Sequence, residues 1–111
     1  MKHTTYNHRH ATRLLPLLGA IGREIEERLE SLAMLEERIE TLGSLPGRKG
    51  ELHRHAAEAA THRRGIRLAR QELERLGCSV LGMAPLTFRI PGRVGEAKHS
   101  FVWQTGDPVL E

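Results

Sequence analysis

The sequence predicts a mainly helical fold with a small β element: a long, coiled-coil-like antiparallel helical hairpin followed by a C-terminal β-hairpin, with two chains pairing into a four-helix-bundle dimer. Three observations predict it. Leu18, Ile25, Leu32 and Ile39 recur every seven residues, interleaved with Leu14, Ile21, Leu35 and Leu42. After the turn-forming stretch from Gly43 to Gly50, a second series runs Leu52, Ala59, Ile66 and Leu73, interleaved with Ala69 and Leu76. Past Gly77 the apolar period changes from the helical one to two. A heptad pattern puts one narrow apolar stripe on each helix, and two stripes joined by a short turn close on each other.

The elements follow in order. Residues 1–11 read as an irregular or kinked entry, because Pro16 is tolerated only in the first turn of a helix and so places the regular start near Thr12. Helix one then spans 12–42, the turn 43–50 and helix two 51–76, stopped by Gly77, the residue type that takes the left-handed conformation after a helix end. With the turn centred near Pro46-Gly47, facing residues have numbers that sum to about 94. Leu42 then faces Leu52, Leu35 faces Ala59, Arg28 faces Ile66, Ile25 faces Ala69 and Ile21 faces Leu73. The same register sets Glu24 beside Arg70 and Glu27 beside Arg67. Residues 77–111 form the β segment: Leu86–Ile90 and His99–Gln104 alternate about a turn at Pro91–Gly95, Cys78–Leu81 offers a further short strand, and Gly106-Asp107-Pro108 reads as a terminal turn. Helix one outruns helix two, so Leu14, Leu15 and Leu17 need a cover, which the β segment can supply.

Composition narrows the class of protein. A chain of 111 residues is one domain, and with 39% apolar residues and four aromatics its core is thin. A long hairpin buries surface poorly, which argues for a homo-oligomer. No apolar run approaches the ~20 residues that span a bilayer, and the N-terminus lacks the apolar core of a signal peptide, so no membrane association and a cytoplasmic location are expected. Cys78 is the single cysteine and forms no internal disulfide. The net charge is +3, yet it is divided: residues 21–42 hold seven acids against three arginines, and residues 51–76 hold six arginines against four acids. An acidic helix facing a basic one is the pattern of a self-complementary pair.

The chain resembles a known family. His10-Ala11-Thr12-Arg13-Leu14-Leu15-Pro16-Leu17-Leu18, Leu76-Gly77-Cys78 and Phe101-Val102-Trp103-Gln104-Thr105-Gly106-Asp107-Pro108 are similar to the bacterial family known as domain of unknown function 2203. There a helical hairpin precedes a short β segment with an aliphatic-x-Trp-x-x-Gly-Glu motif. The sequence departs from that pattern at Asp107, where the family usually carries Glu, and it ends at Glu111, before the aromatic and Trp-His pair with which members continue. The resemblance implies the architecture and a bacterial origin, and it brings no assigned reaction.

Seven histidines are the strongest chemical signal. His55 and His62 fall on the helix-two seam opposite Arg28. A polar layer of this kind usually fixes register and oligomer state, and that reading is preferred to a metal or titrating site. A second cluster, His8, His10, Cys78 and His99, could gather at one end of the molecule and suit zinc, but no close-spaced ligand pair anchors it. Ser44, Ser79 and Ser100 lack a nucleophile context, and the glycine clusters do not match phosphate loops. Arg63, Arg64 and Arg67 form a basic stripe without interleaved aromatics, so nucleic acid is not an expected partner. No catalytic residues, metal or cofactor are expected. The function expected is that of a non-catalytic, self-associating interaction or scaffold module, dimerising through helix faces that include Ala56, Ala59, Ala60 and Leu29. The alternative is a metal- or small-molecule-binding protein using the end formed by His8, His10, Cys78, His99 and Trp103.

Overall fold

The structure, a computed structural model, describes residues 5–110. It consists of two long helices, α1 (His8–Gly43) and α2 (Lys49–Arg75), and a three-stranded antiparallel sheet, β1 (Ser79–Met83), β2 (Leu86–Val94) and β3 (Ala97–Gln104), in the order β1-β2-β3.

The first helix begins four residues before the expected Thr12. Asn7 caps it, its side chain accepting the His10 backbone N–H at 2.8 Å, and Asn is among the strongest capping residues. Pro16 therefore lies inside the helix, where it provides no N–H for the Thr12 carbonyl and costs on the order of 3 kcal/mol. The helix continues through it because Ala11, Leu15 and Leu18 are buried around it, and their packing outweighs the local penalty. Helix two starts at Lys49 rather than 51 and ends as its sequence indicates. Gly77 has φ +79°, its N–H reaches the Glu74 carbonyl, and the Cys78 N–H reaches the Leu73 carbonyl, both at 2.9 Å. These two bonds satisfy the last carbonyls of α2 and aim the chain into β1.

The β segment is larger than a hairpin. Cys78–Leu81 does open a strand, and β2 runs through Pro91 to Val94, so the turn is Gly95-Glu96 rather than Pro91–Gly95. Pro91 is tolerated in a middle strand because β1 pairing ends at Ser79 opposite Arg89. Beyond that point Tyr6 takes the place of β1, donating its N–H to the Pro91 carbonyl and accepting the Arg93 N–H, both at 2.9 Å.

Leu86, Phe88 and Ile90 of β2 and Phe101 and Trp103 of β3 face inward onto Ala11, Leu15, Leu18, Ile21, Ile25, Ala69 and Leu73. This is the cover that the leading part of α1 needs, but it is incomplete. Leu15 is buried and Leu14 partly so, whereas Leu17 stays 42% exposed. Close approach of α1 to the sheet depends on Gly22, where a Cβ would sit 2.6 Å from Thr105 Cγ2 and 3.3 Å from the Phe88 ring. Gly22→Ala is accordingly expected to lower stability by about 1–3 kcal/mol in urea unfolding, despite the better helix propensity of alanine.

The hairpin register agrees with the seam pattern: Arg28 lies across Gly65, one residue from its expected neighbour Ile66, and Leu35 and Ala59 are both buried. The expected ion pairs Glu24–Arg70 and Glu27–Arg67 do not form. Glu24 instead bonds Arg28 one turn along its own helix at 3.2 Å, and among the described residues the cross-helix ion pair is Arg63–Glu36 at 3.1 Å. Exposed pairs contribute only about 0.2–1 kcal/mol, so a local partner displaces a distant one at little cost.

Candidate functional site

Three places in the fold gather chemistry-bearing side chains. The first is the polar layer in the seam. Arg28 donates from Nη1 to His62 Nδ1 at 3.4 Å and from Nε to Glu24 at 3.2 Å. Gly65 leaves the space that the guanidinium occupies; a Cβ there would meet Arg28. His55 does not join the layer. Seven residues of helix separate it from His62 by ~10 Å, and it borders a shallow groove with Met34, Arg38, Thr41 and Glu51. The arrangement satisfies a buried-edge cation and marks register.

The second is the histidine-bearing end. His8 and His99 each pack against Phe101 in a T-shaped arrangement, with ring centroids 5.8 and 4.8 Å away. His8 Nε2 is taken up by the Leu110 carbonyl at 2.8 Å, and His10 is exposed. Cys78 is withdrawn from them: it is 2% exposed, and burial pushes its thiol up to about 11 against a smaller opposing effect of Arg89. The four residues do not form one site, and among the described residues no group of three or more His, Cys, Asp or Glu side chains is placed to hold a metal ion. Tyr6, whose hydroxyl donates to the Leu76 carbonyl at 2.8 Å, is also raised in pKa, by burial first and by Cys78 second.

The third is a groove of ≈ 690 Å³ that sequence reading missed, between the outer side of α1 and the turn after β3. Pro16, Gly19, Arg23, Glu26, Glu27 and Glu30 form one wall, and Trp103, Thr105 and Asp107 the other. Trp103 builds it: its Nε1–H donates to the Asp107 carbonyl at 3.0 Å and holds the turn, with Gly106 at φ +95°. The signal for it lay in the C-terminal motif, but the helix wall lies some 80 residues away in sequence and only the fold brings the two together. The groove is open and acid-rimmed.

That motif, Phe101 to Pro108, now has a structural role: two inward aromatics and a turn pinned by the indole. The family model for DUF2203, described as an uncharacterized conserved protein, matches residues 4–111. The chain belongs to the DUF2203 family. No curated protein and no solved structure matches it. In this DUF2203 chain the remaining sequence candidates resolve simply. Ser100 Oγ accepts a bond from Arg89 Nε at 3.0 Å and Ser44 donates to the Thr41 carbonyl at 2.8 Å, so neither is activated by a base. Arg63 is paired with Glu36. Ala59 is completely buried within its own chain, so it is not available to a dimer face; Ala56 and Ala60 are exposed, and Leu29 is partly buried against the core. No helix among the described residues is long and apolar enough to cross a membrane.

Proposed function

We propose that this protein is a non-catalytic interaction module that self-associates through the arm of its helical hairpin. The supporting observation is the distribution of the core. The buried cluster sits at the sheet end of a molecule 64 Å long, and beyond Ile25 and before Ala69 only Leu35 and Ala59 are buried apolar residues. Two helices alone bury too little to hold such an arm rigidly. The arm also leaves Ala33, Met34, Ala56, Ala57 and Ala60 exposed. Small residues allow close helix approach, and a helix apolar beyond one stripe needs a second partner.

A second copy of the same chain is the partner that fits. Along the arm α1 is acidic and α2 basic, and the described residues make one ion pair between them, leaving Glu26, Glu27, Glu30, Arg67 and Arg70 without such a bond. Laying α2 of one chain on α1 of another matches these charges. The expected result is a dimer by light scattering at ~10 μM protein, and Ala60→Glu, at an exposed position, should convert it to a folded monomer with unchanged helical content. A wild-type monomer at ~100 μM would sink the proposal.

A further inference from the structure

The strand register places a second surface where none of the helical features reach. Residues opposite one another across β2 and β3 share a face, so the outer side of the sheet carries Thr87 with Gln104, Arg89 with Val102, Pro91 with Ser100 and Arg93 with Lys98. β1 adds Ser79 opposite Arg89 and Gly82 opposite Thr87. Three cations, three hydroxyls and an amide therefore share one face, and no acid occupies any of these positions among the described residues; Glu96 lies in the turn at its end. The whole chain has 17 basic and 14 acidic side chains, so these three cations equal its entire formal excess.

One pairing is costly within the chain itself. Arg93 and Lys98 stand directly opposite each other, and like charges at that spacing destabilise an antiparallel pair. Neither has a salt bridge among the described residues, whereas the other cation, Arg89, is held by Ser100. An anion supplied from outside removes the repulsion.

We infer that the outer face of this sheet docks the phosphate backbone of a nucleic acid without reading its bases. The alternative, an acidic protein surface, is disfavoured by what the face lacks. Protein interfaces centre on aromatic and methionine anchors, and every aromatic of β2 and β3 points inward. Arginine, lysine, serine, threonine and glutamine side chains are the usual phosphate contacts. Arg89 and Arg93 lie ~13 Å apart along β2, far enough to contact separate phosphates of one strand. This surface is separate from the Arg63, Arg64 and Arg67 stripe of α2.

Fluorescence anisotropy with a labelled 20-base-pair DNA duplex in low salt tests the assignment. The triple variant R89Q/R93Q/K98Q is expected to raise Kd about tenfold and to flatten the slope of log K against log salt by up to about 3. The control R63Q/R64Q/R67Q removes the same net charge from α2 and is expected to change Kd less than about twofold. Lys98→Glu separates binding from folding: it should weaken binding while raising Tm by a few degrees, because an opposite-charge pair replaces a repulsive one. Absence of wild-type binding in low salt overturns the inference, as does equal weakening by the two triple variants. Loss of self-association rather than of DNA binding in the sheet variant would assign the face to protein instead.

Discussion

Replacing Phe88 by alanine is expected to cost about 3–5 kcal/mol, a large fraction of the about 5–15 kcal/mol by which single domains are typically stable. Phe88 is fully buried at the centre of the middle strand, with Trp103 opposite it across the β2–β3 ladder and the ring centroids 6.1 Å apart. Its ring also lies against Gly22 of α1, where an added Cβ would sit 3.3 Å from it. The cavity left by alanine would be walled by strands hydrogen-bonded on both sides and by a helix already in contact, so little collapse can relieve it. Urea unfolding followed by far-UV circular dichroism measures the loss. Phe88→Leu, which keeps most of the volume, should recover more than half of it. A cost below about 1 kcal/mol for Phe88→Ala would mean that the sheet is not integral to the core.

Trp103→Ala is expected to be comparably damaging, at about 3–5 kcal/mol, and for two separable reasons. The indole is 4% exposed and packs between Phe88 and Gly19, where an added Cβ would sit 3.7 Å from Trp103 Cη2. It also donates to the Asp107 carbonyl, the bond that shapes one wall of the α1 groove. Trp103→Phe retains much of the packing and removes the donor, so it should cost about 1–3 kcal/mol and loosen residues 105–108 selectively. Amide hydrogen exchange reads that difference: faster exchange of Asp107, whose N–H bonds the Gln104 carbonyl at 3.1 Å, with slow exchange kept in β2.

These two residues also show where sequence reading succeeds. The inward alternation of Leu86, Phe88 and Ile90 is local, because a strand with one buried face writes its burial into a period of two. The heptads did the same for Ile25, Leu35, Ala59 and Ala69, and Gly77 announced the end of α2 through its backbone freedom alone. In contrast, Pro16 pointed to a helix starting at Thr12, and Pro91 to a turn. Both expectations rest on a lost N–H, and both give way because distant residues change its cost. Buried Ala11, Leu15 and Leu18 keep α1 helical through Pro16, and β1 pairing ends before Pro91, where Tyr6 bonds only the Pro91 carbonyl and the Arg93 N–H.

The candidate sites divide in the same manner. Arg28 and His62 meet because both lie on the seam that the heptads define, whereas His55, one heptad away, does not reach them. His8 and His99 share only a packing partner, Phe101, and Cys78 is taken out of the group by the hydrogen bonds that end α2 and turn the chain inward. The groove at Trp103 is marked in the sequence only along its C-terminal wall, and the basic outer face of the sheet joins residues from three strands that no single local pattern brings together. Arg93 reads as a turn residue until β2 is seen to continue through Pro91.

By itself, then, the sequence determined the hairpin, its register, the stop after α2 and the inward face of the strands, since each depends on spacing within one element or on one residue's backbone preference. Only the tertiary structure decided where α1 begins, how far β2 runs, which charges pair and which side chains share a surface. Those outcomes depend on free energies of contact between residues distant in the chain, and such contacts exceed the few kcal/mol by which a single proline, cap or exposed ion pair directs its neighbours.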